Sequence, residues 1–278
     1  ISSIGGAIIG TRPKHHFPAR NPFIASECLP MSDTQPGIEA LTAWLETPPG
    51  QYLLAWEQAQ LDRVVSDVFG FHALQIGLPE LDALRANRMP HRWVALDAGH
   101  APPDRTKRAA VFAHGEALPF AERSLDLVVL PHTLELARDP HRTLAEVERV
   151  LMPEGRVVIL GFNAASLWGL RQRLGRMRRL AGGKGDSFLP RPGEFIGYWR
   201  LRDWLRLLSF EVEGGRFGAY RPAIGSQGWL DRFAWMDRVG DRWWPVFGAV
   251  YMVVAVKRVR GMRLVGLAER ALERMCRR

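Results

Sequence analysis

Cysteine is nearly missing from this sequence: two residues, Cys28 and Cys276, stand near opposite ends of 278 positions. That excludes a disulfide framework and a cysteine-based metal centre, and it fits a reducing cytoplasmic setting. No apolar run approaches the roughly 20 residues of a membrane-spanning helix. The longest candidate, "GAVYMVVAV" from Gly248 to Val256, reads as a buried strand. There is no P-loop, no HExxH pair and no nucleophile elbow, which removes the mechanisms those motifs carry. The pair His15-His16 has no further ligands nearby, so no metal site is assigned. Acids are scarce beside bases, 29 against 38, for a net charge of +9. Such an excess suits an anionic partner, whether lipid headgroup, acidic substrate or nucleic acid, the last being the least favoured. It is equally what an arginine-rich composition produces without any binding site.

The remaining composition is that of a globular protein, 47% hydrophobic and 24% charged. Residues 1–30 are rich in proline and basic residues and are expected to be an extension with little structure; Met31 reads as a natural beginning. Leu54, Leu61, Val65 and Val68 share one face of a helix expected over Gly50–Phe69. Strands are expected at 72–77, 91–97, 109–113, 124–130 and 156–162, with a brief helix over "LDALRANR". Asp139 and Pro140 are N-cap and first-turn residues for a helix whose inner face is Leu144, Val147, Val150 and Leu151, ended by "MPEG". A further helix sets Leu201, Trp204, Leu205 and Leu208 on one side. Two late strands follow, and residues 261–278 read as a basic amphipathic helix. Strands alternating with helices predict an α/β fold, Rossmann-like, with a mostly parallel seven-stranded sheet covered on both faces. Ligands of such sheets bind outside the C-terminal ends of the strands.

The stretch from 111 to 163 carries more specific tokens: "EALPF" after the third strand, "SLDLVVL" as the fourth, and "TLAEVERVLMPEGRVVI" through helix and fifth strand. In this order they resemble the class I S-adenosylmethionine-dependent methyltransferases, in the small-molecule branch with the ubiquinone and menaquinone methyltransferases. The resemblance implies a methyltransferase-like domain over 31–260, with inserts at 164–194 and 221–247, and S-adenosylmethionine as cofactor. It also implies a cofactor site made by Gln75, Gly77, Asp97, His114, Gly115, Glu116 and Leu130. In the family the first strand ends with an acid followed by glycines at alternate positions, which let the backbone approach the cofactor closely. Here the acid is Gln75, one glycine remains as Gly77, and the second is Pro79. Gln75 can hydrogen-bond but brings no charge, and Pro79 removes a donor and fixes φ. Asp97 is expected to hold the ribose hydroxyls, and His114-Gly115-Glu116 to meet the adenine. The family's Leu-Glu-His becomes Leu134-Glu135-Leu136. His132, just after the fourth strand, is the candidate catalytic residue, as general base or substrate contact.

The acceptor is expected to be a small molecule, apolar or amphipathic and lipid-like, on the character of the two inserts. From Gly161 to Gly185 there is no acid, while Arg171, Arg173, Arg176, Arg178 and Arg179 surround an apolar stripe of Leu167, Leu170, Leu174 and Met177. Such a helix lies on an anionic membrane through residues 166–184, at the inner face, binds an acidic partner, or is a lid packed on the domain, and a lid is compatible with either surface role. The second insert carries Trp229, Phe233, Trp235, Trp243 and Trp244, which suit an apolar acceptor pocket, a lipid interface, base stacking, or plain core. The rival to an enzyme is a non-catalytic relative that binds an anionic ligand, a membrane or a protein. A nicotinamide-linked oxidoreductase is disfavoured because its glycine fingerprint is missing.

Overall fold

The computed structural model describes residues 36–96, 111–180, 182, 188–189 and 195–258, all within one compact unit. Asp97, the extension 1–30 and the expected basic helix at 261–278 lie outside the described residues. The chain opens with α1 (Pro36–Leu45) and α2 (Pro48–Val65), followed by β1 (His72–Ile76), β2 (His91–Leu96), β3 (Val111–Phe112) and β4 (Leu125–Pro131). Next come α3 (Thr133–Leu136), α4 (Pro140–Val150), β5 (Leu151–Phe162), α5 (Leu167–Leu180), α6 (Tyr198–Leu207) and β6 (Phe210–Gly218). Helices α7 (Gln227–Arg232) and α8 (Trp235–Trp243), a 3-10 turn (Pro245–Phe247) and β7 (Val250–Lys257) complete it.

The strands form one seven-stranded sheet in the order β3-β2-β1-β4-β5-β7-β6. Strands β1 to β5 pair in parallel; β7 runs antiparallel to both β5 and β6. The alternating side chains of β4 and β5 explain why both faces are covered. Leu127, Val129, Val158 and Leu160 point into a core with α1 and α2, which supply Leu41, Leu45, Leu53 and Leu61. Val128, Leu130, Val157 and Ile159 point to the other face, where α4 and α6 supply Leu144, Val147, Leu201 and Leu205.

Local chemistry sets the starts of α4 and α2. Asp139 caps α4 by accepting from the backbone N–H of His141 at 3.0 Å and of Arg142 at 3.1 Å, with Pro140 in the first turn. Helix α2 begins at Pro48–Pro49, where missing N–H groups cost nothing. Two expectations change. "LDALRANR" forms turns rather than a helix, since the Gln75 side chain takes up the backbone groups there. "MPEG" does not stand between helix and strand: β5 already starts at Leu151, which pairs with Leu125 across an irregularity in register. Among the described residues, no helix is long and apolar enough to cross a membrane.

Candidate active site

The parallel strands β1, β2 and β4 end around a cavity of about 440 Å³. One wall is the β1 loop, Gly77 to Pro79; another is the segment after β3, Ala113 to Ala117; a third is Pro131 and Thr133 at the end of β4. Leu136 to Arg138, Arg142 and Thr143 close the side toward α4. Gly77 has φ +77°, a conformation that glycine adopts freely, and its N–H is held by the Ala95 carbonyl at 2.8 Å. A Cβ there would stand 3.4 Å from Oγ1 of Thr133. Thr133 is itself fixed by donating to the Ile76 carbonyl at 2.5 Å. Leu78 also has positive φ, at +39°, so the loop carries backbone strain beside the cavity.

The expected cofactor residues separate into two groups. Gly77, His114, Gly115 and Glu116 line the cavity. Oε1 of Glu116 accepts from the Asp139 N–H at 3.0 Å, which ties the segment after β3 to the start of α4. Asp97 follows Leu96, a cavity residue and the last of β2.

Gln75 and Leu130 do not reach the cavity, and this corrects the expectation for both. Leu130 is fully buried in the α4-side core. Gln75 is also buried, and its whole amide is used within the β1 loop. Nε2 donates to the carbonyls of Gly77 (3.2 Å), Leu78 (2.9 Å) and Leu81 (2.8 Å); Oε1 accepts from Ala83 N–H at 3.0 Å. The residue at the family's acidic position thus builds the loop instead of facing a ligand.

His132 is likewise corrected. It lies between two cavity residues, Pro131 and Thr133, yet its own ring turns away, with φ +54° and no exposed surface. Nε2 is 2.7 Å from Oε1 of Glu57 on α2, and Nδ1 is 3.0 Å from Oε2 of Glu135 on α3. Oε1 of Glu135 accepts from the Phe162 N–H at 2.7 Å. The ring also lies 4.3 Å, centroid to centroid, from Phe162. Burial alone would lower the imidazole's affinity for a proton, but the flanking carboxylates outweigh it and raise the pKa to about 10. Burial raises the Glu135 carboxyl, against the imidazolium beside it. With both ring nitrogens engaged and no open approach, His132 is a structural ion and not a base for a substrate in the cavity.

Thr133, Arg138, Arg142 and Thr143 on the walls, and Glu57 in the buried cluster, were not singled out from sequence. Glu57 had a signal: it lies three residues after Leu54 and four before Leu61, on the inward face of α2. Arg138 and Arg142 had none, because arginines are frequent throughout.

Beyond the end of β5, residues of α5, α8 and the 3-10 turn line a second cavity of about 500 Å³. The apolar stripe of α5 is not packed as a lid among the described residues: Leu167, Leu170, Leu174 and Met177 are about half exposed or more. Trp229, Trp235, Trp243 and Trp244 are exposed too, and not core; Trp168 is the tryptophan that is fully buried.

Sheet order, strand directions and a cavity at the C-terminal strand ends define a Rossmann-like fold of the class I methyltransferase type. Residues 83–159 match the methyltransferase domain family. The protein YafS of Escherichia coli K12 is 34% identical over 203 residues, 68% of this chain and 78% of that protein. A demethylmenaquinone methyltransferase of Bacillus cereus is 26% identical over 148 residues, about half of each chain. Among solved structures, a Thermotoga maritima SAM-dependent methyltransferase superposes with a TM-score of 0.52 at 16% identity, over 75% of this chain and 90% of that one. A Haloferax volcanii chain solved with a methyltransferase activator gives the same score over 81% and 99%. The chain belongs to the class I S-adenosylmethionine-dependent methyltransferase family, whose methyl donor is S-adenosylmethionine.

Proposed function

We propose that this protein transfers a methyl group from S-adenosylmethionine to a small acceptor with an apolar body. The observation that carries the reading is the cavity at the ends of β1, β2 and β4, where Gly77 turns with positive φ and offers backbone without a Cβ. Its volume falls in the range of roughly 300–1,000 Å³ usual for small-molecule sites. Gly77 and Leu78 take the amino-acid part of the donor, His114, Gly115 and Glu116 its base, and Asp97 its ribose. Arg138 and Arg142 bring positive charge to the same wall, suited to a carboxylate. When bound, the sulfonium supplies an already activated methyl group. The chain's task is then to orient two reactants in line and keep water out, and positioning accounts for much of such acceleration. No general base is assigned, since His132 is sealed between two carboxylates.

Titration calorimetry with S-adenosylmethionine and S-adenosylhomocysteine tests the donor site. Micromolar binding, about −8 kcal/mol, is expected, with a loss of tenfold or more in Asp97→Ala. Absence of binding at millimolar nucleoside would favour the second reading, a non-catalytic relative. Pro79 in the second glycine's position, and the inward engagement of Gln75, speak for that reading.

A peripheral contact with the inner, anionic membrane face through residues 166–184 belongs to the same proposal. It is supported by the exposed leucines of α5 interleaved with arginines and by charge complementarity. Sedimentation with phosphatidylglycerol vesicles at low salt tests it; protein that stays in the supernatant would rule it out.

A further inference from the structure

The second cavity draws its walls from both inserts, outside the part of the chain that matches the family, and shares no lining residue with the donor cavity. Its frame is firmly built. Asn163, at the end of β5, is buried and donates from Nδ2 to the carbonyls of Val246 (2.6 Å) and Gly248 (2.9 Å). Ser166 donates to the Asn163 carbonyl at 2.6 Å and accepts from Gly169 N–H at 3.1 Å, securing the start of α5. Tyr220 donates to the Pro245 carbonyl at 2.9 Å, and Gly240 of α8 is packed so closely on its ring that a Cβ would come within 2.3 Å. These contacts fix α5, α8 and the 3-10 turn around the space without filling it.

What lines the space is apolar: Leu167, Leu170, Met236, Trp244 and Phe247. Of these, Leu167, Leu170, Trp244 and Phe247 are 43–56% exposed, so a large apolar surface faces an open cavity. That arrangement is costly in water unless something covers it. The lining contains one charged residue, Arg173. It is exposed, and no carboxylate among the described residues pairs with it. The nearby acid of α8, Asp237, is already engaged by Arg221 at 2.9 Å and by the Tyr52 hydroxyl.

We infer that this cavity binds a single-chain anionic amphiphile, its chain lying between Leu170, Met236, Trp244 and Phe247 and its acidic group at the guanidinium of Arg173. An apolar slot with one cation at its wall, unpaired among the described residues, matches a chain with one anionic head. A neutral hydrocarbon would leave Arg173 unanswered, and a nucleotide would put polar groups against leucine and phenylalanine. The planar guanidinium donates two parallel hydrogen bonds to a carboxylate or phosphate. The site stands apart from the donor cavity, so its binding does not depend on methyl transfer.

The test uses the full chain with dodecyl phosphate and dodecanol, both below micelle-forming concentration, and follows tryptophan fluorescence and calorimetry. Saturable binding of dodecyl phosphate is expected, with dodecanol weaker by roughly fivefold or more. Arg173→Gln should erase that difference while leaving S-adenosylmethionine binding unchanged. Leu170→Glu should abolish binding of both probes. Equal binding of the two probes to the native chain, or undiminished binding in Leu170→Glu, would overturn the inference. Loss of donor binding with intact amphiphile binding would count against the transferase reading alone. Phosphatidylglycerol vesicles provide a second arm. Competition of vesicles with dodecyl phosphate would identify the ligand as membrane-borne, and retention of monomer binding without vesicle binding would identify a free amphiphile.

Discussion

Nε2 of His132 meets Oε1 of Glu57 at 2.7 Å across 75 residues of chain, in a place where neither side chain has any exposed surface. The pair, with Glu135, joins α2, the end of β4 and the end of β5 at one point. An ion cluster of this kind has little net value compared with a packed apolar core, but breaking it is expensive.

Replacing His132 by Gln leaves two buried carboxyls without their cation. A loss of about 3–5 kcal/mol in unfolding free energy is expected, measured by urea denaturation at pH 7. Glu57→Gln removes one of the two carboxylates holding the imidazolium and should lower the His132 pKa, followed by NMR of the ring protons. Oε2 of Glu57 is buried with no hydrogen-bond partner among the described residues, so the amide's NH₂ would be buried there too.

The same cluster sets a pH dependence. The folded state raises the His132 pKa from 6.5 to about 10. Its contribution is therefore complete below pH 6.5 and is lost as pH rises toward 10. The raised Glu135 acts in the same direction, because the fold also holds its proton more tightly than the unfolded chain does. Thermal unfolding should show a fall in Tm between pH 7 and 10, and His132→Gln should flatten it.

Restoring the family's acid at position 75 should harm this protein. Gln75 Nε2 donates to three carbonyls, and a carboxylate there would face them with no proton to give. Gln75→Glu is expected to cost about 3 kcal/mol or more, as for an uncompensated buried charge, and to weaken nucleoside binding by disordering the loop from 77 to 83. Gln75→Met, without charge, should cost less. Denaturation and calorimetry on both variants check this; a Gln75→Glu chain that is as stable as the native one and binds donor more tightly would contradict it.

Gly77→Val should weaken S-adenosylmethionine binding by at least tenfold. A β-branched residue is strained at φ +77°, and its side chain would enter the cavity beside Thr133. The amphiphile site, on other elements, should be untouched.

Asp139→Ala should cost about 1 kcal/mol through loss of the α4 cap, read as a lower urea midpoint. The backbone N–H that Glu116 accepts from remains in this variant, so donor affinity should fall only as far as the uncapped helix start shifts it.

The contrast between Asp139 and His132 explains how far sequence reading reaches. The cap on α4 depends on residues two and three positions apart, and was legible as Asp-Pro before an apolar stripe. His132 was legible as a histidine after a strand, but its role depended on Glu57, which was not in view. Gln75 shows the same limit: its position in the family motif identified the loop, while the direction of its amide decided that it serves the loop and not a ligand. The length of β4 and the inner face of α4 up to Val150 followed from period and composition, whereas β5 begins at Leu151, before its expected start, because its pairing with β4 is set across the sheet. The exposed tryptophans did not, because an apolar residue has the same letter whether it is covered or not.

By itself, the order of apolar runs, caps and turns determined an α/β sheet of seven strands and the sheet edge at which a cavity lies, because those features rest on periodicity and local hydrogen bonding. The tertiary structure alone decided which polar side chains face the cavity and which are sealed within the core. That choice depends on partners tens of residues distant, and on the high cost of burying a charge without one.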